Sequence, residues 1–528
     1  MKKAASNKKN LPAQRLLRSG AVTAGATFMS RILGMFRDIA IAGLLGAGLS
    51  ADVYFFANRI PNFFRRLFAE GAFAQAFVPV MTKTKRDKSE KELKELAAKS
   101  AGTLGLIVLI ISIIGMILSP VVTAIFGWGW FEAWYKGESD ADKFIEASQL
   151  LRITFPYLFF ITVTALCCSI LNIFGRFAVP AIIPCILNLV LIAAAYFIAP
   201  HFADPNLILA AAMTAGGVFQ LLFVLPFVYK TGLLCLPRWG WNHEGVKTIR
   251  TLMLPALFGV SASQLNLLVN TVLASFLATG AISYLYYSDR LLEFPIGIFA
   301  VAISTVILPA LSRVNIKEDH STYEKTLDWG VRLVLLLGLP SMMGIIALRE
   351  PILRVLFMRG AFTSDHVLLS SASLIASVSG LCAIMLVRVL VQGFAALQDT
   401  KTPVRCGIIS MGANIVFNLI LVWPLGYVGL ALSTALAAYV NAGQLLYLLY
   451  KRKIYTLSSY SLKFITKALV AALLMAYVVR RFAPDFNEWI SMSTLQASLY
   501  LALFVATGAA TFVLSCLIMG IRPRDIKM

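Results

Sequence analysis

Negative charge is what this sequence has least of. Its 528 residues carry 26 Asp and Glu against 47 Lys and Arg, and charged residues of both signs make up only 14% of the chain. With hydrophobic residues at 59% and a mean hydropathy of +0.79, so little charge excludes a soluble globule and a disordered tail, because apolar runs recur through nearly the whole length. Histidine is scarce as well: His201, His243, His320 and His366 fall in or beside expected loops, and no HExxH pattern accompanies them. The cysteines Cys167, Cys168, Cys185, Cys235, Cys382, Cys406 and Cys516 lie mostly within or beside apolar runs with no CxxC spacing, so neither a disulfide framework nor a zinc site is indicated. No GxxxxGK[ST] is present, which leaves ATP hydrolysis unsupported. Asp140-Ala-Asp142 has the form of a metal-binding DxD, but two acids in an outer loop read as solvated surface. No constellation looks catalytic.

What is present is apolar length. Fourteen runs are long enough, at 1.5 Å per residue, to cross a hydrocarbon core of about 30 Å: 20–45, 53–81, 100–126, 147–173, 180–199, 206–229, 251–279, 284–311, 328–348, 367–397, 404–423, 427–450, 464–482 and 494–519. The expected fold is an all-α polytopic membrane protein. Residues 1–19 form a basic extension, and the first run is too long and too charged for a cleaved signal, since it contains Arg31, Arg37 and Asp38.

Loop charge gives the orientation. With the N-terminus in the cytoplasm, about thirty Lys and Arg fall on the cytoplasmic side, led by Lys2, Lys3, Lys8, Lys9, Lys83 to Lys99 and Lys451 to Lys453. The outer side holds Lys136, Lys143, Arg349, Arg354, Arg359, Arg480 and Arg481. Both termini are therefore expected inside, and the net charge of +21 is mostly topology. Nucleic acid is not an expected partner, because the basic clusters flank spans and carry no binding signature.

The chain also repeats itself weakly. Gly48, Tyr54-Phe55-Phe56-x-x-Arg59 and Pro79 are echoed by Gly280, Leu285-Tyr286-Tyr287-x-x-Arg290 and Pro309, and Pro180 with Asn188 by Pro403 with Asn414. Such self-similarity marks transporters built from structural repeats around a midplane site. The expected organisation is two six-helix lobes in parallel topology related by a pseudo-two-fold axis, over 20–230 and 231–455, with 456–528 supplying two extra C-terminal helices.

Arginines stand where a bilayer opposes them. A guanidinium at mid-membrane costs about 2.5–3.5 kcal/mol on the most lenient scale, yet Arg31, Arg37, Arg65, Arg66 and Arg290 lie inside apolar runs. Arg31 and Arg37 are about 9 Å apart along a helix and point different ways, so they converge only if the helix bends, which Gly34 between them would permit. Arg66 has Glu70 one turn ahead, the spacing of an intrahelical pair, whereas Arg65 has Ala69 there. Pro61 is expected to kink that helix near Arg59. Arg290 has Asp289 beside it, which cannot face it, and Glu293 three residues on, which can. Planar guanidinium forks accept phosphate oxygens two at a time, so the inferred ligand is the anionic head of an amphiphile whose tails stay in lipid.

The stretches Ser30-Arg31-Ile-Leu-Gly-Met-Phe-Arg37-Asp38, Pro61-Asn-Phe-Phe-Arg65-Arg66-Leu-Phe-Ala-Glu70-Gly71-Ala-Phe-Ala-Gln75-Ala-Phe-Val-Pro79 and Tyr286-Tyr287-Ser-Asp289-Arg290-Leu-Leu-Glu293-Phe-Pro295 closely resemble the MurJ (MviN) family. Its members are lipid II flippases of bacterial peptidoglycan synthesis in the multidrug/oligosaccharidyl-lipid/polysaccharide exporter superfamily, and the resemblance runs through the chain from about Gly20. It implies fourteen helices, a polyprenyl-tail groove on helices 13 and 14, residence in the bacterial cytoplasmic membrane, and lipid II and membrane lipids as partners, with other cell-wall synthesis proteins as further candidates. The family's cationic cavity carries over to Arg31, Arg37, Arg65 and Arg290, with Asp38, Asp52, Arg66, Glu70, Asp289 and Glu293 in gating or pairing roles. Some relatives hold sodium with aspartates in helices 7 and 11; here the polar candidates are Asn266, Asn270, Asn414 and Asn418, which either hold a monovalent cation with less charge or simply pack helices. No other cofactor is expected. The expected mechanism is alternating access driven by the membrane potential, and the alternatives are a flippase for another polyprenyl-pyrophosphate oligosaccharide or, in a different class, an integral-membrane glycosyltransferase.

Overall fold

The computed structural model describes residues 2–67, 72–138, 141–314, 316 and 318–525, apart from the side chains of residues 2–22, 72, 141, 256, 258–263 and 265. Every regular element among them is helical, as backbone groups in a lipid environment require. Among the described residues, eleven helical segments are long and apolar enough to cross a membrane. The expected first, second and seventh spans are not among those eleven. Their described residues are helical nonetheless, and they carry Arg31, Arg37, Arg65, Arg66, Gln264, Asn266 and Asn270.

Contacts divide the chain into two compact units, residues 1–265 and 266–528. The first begins with α1 (Lys2–Leu45), α2 (Leu49–Arg65), α3 (Ala72–Asp87) and α4 (Glu90–Ile117). It continues with α5 (Ser119–Phe126), α6 (Trp128–Lys136), α7 (Ala141–Thr154), α8 (Pro156–Ile173), α9 (Ala178–Ala193) and α10 (Pro205–Tyr229), and α11 (Glu244–Ala274) contains the boundary. Its core gathers Phe73, Phe77, Leu96, Leu158, Leu171 and Val224 from α3, α4, α8 and α10. Gly115 lets the Phe155 ring lie against α4, since a Cβ there would stand 2.2 Å from it.

Local chemistry sets the boundaries. The expected third span, 100–126, is corrected: the continuous helix is α4, which starts ten residues earlier on a Ser89–Glu92 capping box. It stops at Ile117 because Pro120 opens a new helix. α9 widens into a π-helical stretch over Ala194–Ile198, and α2 passes Pro61 before its ladder widens at Arg66 and Leu67.

The second unit holds α12 (Ala281–Pro295), α13 (Val301–Ser312), α14 (His320–Ala347), α15 (Arg349–Phe357), α16 (Ser364–Ser379) and α17 (Leu381–Ala396). Then come α18 (Lys401–Leu425), α19 (Tyr427–Lys451), α20 (Ser459–Phe482), α21 (Phe486–Ser491) and α22 (Thr494–Ile518). α20 packs along α14 and α22, and two polar nodes fasten it. Near its start, buried Asp328 accepts from Tyr455 at 2.9 Å and Ser461 at 2.5 Å and lies 3.1 Å from Arg332. Beyond its end, Arg354 donates to the carbonyls of Trp489 at 3.0 Å and Met492 at 2.5 Å. Arg354 is only 5% exposed, so this basic residue, expected in an outer loop, is part of the packing.

Candidate functional site

Within the first unit, α1 lies along α9, and the contact is built around one amide. Asn188 on α9 donates to the Ser30 carbonyl at 3.1 Å and accepts from Arg37 Nη1 at 3.1 Å. Gly34 faces this amide, and a Cβ there would stand 3.7 Å from Asn188 Nδ2, an ordinary contact. Arg37 also gives Nε at 3.0 Å and Nη2 at 2.7 Å to one oxygen of Asp38. That carboxylate is buried, so the pair is an ion pair largely out of water, where removing either partner leaves an uncompensated charge.

Arg31 is placed differently. It is exposed on α1, and among the described residues no acceptor or carboxylate engages it. α1 runs as one helix through Gly34, and the two guanidiniums do not share partners: Arg37 is held by Asp38 and Asn188, and Arg31 stands outside that network.

On α2, Arg65 Nε donates to Asn62 Oδ1 at 3.0 Å, and Asn62 in turn bonds the Asn58 carbonyl at 2.9 Å. An amide acceptor orients the guanidinium without cancelling its charge. Arg66 reaches Gln264 of α11 at 3.0 Å; Glu70, its expected partner, lies outside the described residues. Asp52 is buried in the first turn of α2, where the helix dipole favours a carboxylate.

In the second unit, Arg290 meets Glu293 at 2.9 Å, as the three-residue spacing implies. Its Nε lies 3.3 Å from the Tyr286 hydroxyl and its guanidinium 5.3 Å from that ring. Glu293 is 58% exposed, so solvent screens this pair and it is weak. Asp289 is exposed.

Three of the four expected amides, Asn270, Asn414 and Asn418, form a network in the second unit. Asn418 donates to Asn270 at 2.7 Å and to Asn414 at 3.1 Å, and Asn270 lies 3.5 Å from the Thr434 hydroxyl. Asn418 Oδ1 is buried with no hydrogen-bond partner, and so is Asn266 Oδ1. The donors are neutral oxygens, which suit a weakly held monovalent cation better than a divalent one. No group of three or more His, Cys, Asp or Glu suited to a metal occurs among the described residues.

Two positions were not foreseen as parts of the site. Asn188 stood out only as a polar residue inside an apolar run, and Gln264 gave no signal because its arginine is 198 residues away.

Residues 41–500 match the family described as "Lipid II flippase MurJ". A Vibrio cholerae protein named as a probable lipid II flippase MurJ is 48% identical over 514 residues, covering 97% of this chain and 98% of its own. The solved structure of a lipid II flippase MurJ in an inward closed conformation superposes with a TM-score of 0.78 at 28% identity, covering 94% of this chain and 98% of that one. An inward-facing multidrug resistance MATE transporter of the MOP superfamily has a TM-score of 0.65 at 14% identity, covering 82% of this chain and 98% of its own, and shares the fold alone. The chain is a multi-pass membrane protein and belongs to the MurJ family.

Proposed function

We propose that this protein is a transporter that flips lipid II from the inner to the outer leaflet of the bacterial cytoplasmic membrane. The observation that carries the reading is the 48% identity, over nearly the whole of both chains, to a relative named for that activity. The arginine chemistry supports it independently, since guanidinium side chains inside apolar helices are what a pyrophosphate headgroup would need.

In the proposed mechanism Arg31, Arg37, Arg65 and Arg290 contact the pyrophosphate. Arg31, exposed and unengaged among the described residues, meets the head first, and Arg65 is pre-aimed by Asn62. Arg37 exchanges part of its hold on Asp38 for a phosphate oxygen, and Arg290 does the same with Glu293. The ion pairs are thus the empty-state partners that the ligand displaces, which assigns Asp38 and Glu293 to gating, with Asp52, Arg66, Glu70 and Asp289 in pairing roles. Two six-helix lobes, 20–230 and 231–455, alternate access while 456–528 receives the polyprenyl tail, and both termini face the cytoplasm.

An interior-negative potential favours outward movement of the anionic head, at about 2.3 kcal/mol per charge for 100 mV, and favours return of the empty cationic protein. A sodium ion held by the oxygens of Asn270, Asn414, Asn418 and Thr434 would supply one further positive charge there.

The test is growth of bacteria depleted of their own flippase, with lipid II translocation followed in proteoliposomes. The wild-type chain is expected to support both, and Arg65→Ala or Arg290→Ala to abolish both while still inserting, with Arg65→Lys rescuing only in part. Translocation of another polyprenyl-pyrophosphate oligosaccharide but not lipid II would replace this reading, and a rate indifferent to loss of the potential would remove the proposed driving force.

A further inference from the structure

Between α4 and α7 the chain makes two short helices in place of a plain loop, and their composition is unusual: Trp128-Gly-Trp-Phe-Glu-Ala-Trp-Tyr-Lys136 puts five aromatic residues in nine. The depth of this segment follows from α4. From Lys99, the last basic residue of its charged first turns, to Ile117 the helix rises about 27 Å, close to the thickness of a hydrocarbon core. The break at Leu118 and Pro120 therefore falls at the far boundary of the bilayer.

The lipid-facing side of α4 continues past that break. Ile110, Ile114 and Ile117 are exposed at helical spacing, and Val121, Ile125 and Trp128 extend the row through α5 into α6. Trp134 and Tyr135 prolong it to the end of α6, where Gly137 in the left-handed conformation stops the helix. Indole and phenol rings at the end of an apolar row are the composition of a membrane–water boundary, where an apolar body and a polar tip are both served. Glu132 and Lys136 pair at 2.5 Å and are both exposed, as befits a helix that lies flat between lipid and water.

The other face of α6 is packed. Trp130 is 2% exposed and lies 5.0 Å from the Phe56 ring of α2, one turn beyond Asp52. Gly127 lets the two meet, since a Cβ there would press on Phe56 at 3.2 Å. Phe144 of α7 closes the other side, 5.5 Å from Phe131 and 5.1 Å from Trp134.

We propose that residues 119–136 form an interfacial anchor: Trp128, Trp134 and Tyr135 occupy the lipid headgroup region of the boundary remote from the basic end of α4, while Trp130 fastens that anchor to the outer part of α2. The partner is a phospholipid surface. This does not depend on the cargo, and the boundary is the outer one in the orientation proposed above.

The test reads depth directly. The full chain is reconstituted in phosphatidylethanolamine–phosphatidylglycerol vesicles doped with lipid brominated near the headgroup or near the chain terminus, and the emission lost in Trp128→Phe/Trp134→Phe is compared with wild type under each quencher and under aqueous iodide. The lost component is expected to be quenched about twofold more by shallow than by deep bromine and little by iodide. Tyr135→Trp, which keeps both native tryptophans, should add a component with the same ranking. Efficient iodide quenching without lipid quenching, or deep bromine outranking shallow, would overturn the proposal.

Discussion

Arg37 Nη1 donates to Asn188 Oδ1 across the α1–α9 contact at 3.1 Å, while the same amide holds the Ser30 carbonyl. One side chain therefore sets both the separation of the two helices and the direction of a guanidinium. Asn188→Ala should remove this hold on Arg37 and weaken lipid II binding about tenfold, since a hydrogen bond to a charged group is worth about 1.5–3 kcal/mol. Asn188→Asp should bind more weakly still, because a second carboxylate neutralises the arginine. Titration calorimetry of the purified variants checks this; unchanged affinity in Asn188→Ala would show that the amide only packs helices.

How much of this could be read in the residues depends on the distance over which each contact acts. Apolar runs are local, so an all-helical chain and most of its spans were legible from composition along the chain. The Arg290–Glu293 pair was legible too, because three residues is one helical turn. The Arg37–Asn188 and Arg66–Gln264 contacts join residues 151 and 198 positions apart, and an amide inside an apolar run carries no periodicity that names its partner. Arg354 was hidden differently: an arginine beside an outer loop looks solvated until the carbonyls of Trp489 and Met492 fold over it.

Asp399 sits between α17 and α18, outside the spanning segments. Hydrogen bonds from Arg452 at 2.6 Å and from the Thr402 hydroxyl at 2.6 Å hold its carboxyl down at about 2. A carboxyl whose folded value is depressed stabilises the fold above the unfolded value of about 3.9, and loses that contribution as pH falls toward about 2. Because Arg452 is partly in solvent, the contribution is about 1 kcal/mol at neutral pH. Thermal unfolding of detergent-solubilised Asp399→Asn should show that deficit at pH 7 and converge with wild type near pH 2. A deficit constant with pH would assign the effect to something other than the carboxylate charge.

Asn418 presents one buried oxygen that the protein leaves unused. If sodium takes it, unfolding temperature should rise with sodium chloride and not with choline chloride at equal ionic strength, reflecting a stabilisation of about 1.4 kcal/mol at ten times the dissociation constant. Asn418→Ala should abolish the response and Asn418→Asp should shift it to lower sodium, since a carboxylate adds charge to the site. Identical curves in the two salts would leave Asn270, Asn414 and Asn418 as helix-packing amides.

The central claim is that intramembrane guanidiniums receive a pyrophosphate, and binding of purified lipid II tests it most directly. Measured against another polyprenyl-pyrophosphate sugar and against a polyprenyl lipid lacking phosphate, the wild-type chain should prefer lipid II and ignore the uncharged lipid. Arg65→Ala and Arg290→Ala should each lose about tenfold or more, and neutralising Arg31, Arg37, Arg65 and Arg290 together should abolish binding in a protein that still folds. Undiminished affinity in that fourfold variant would contradict the account.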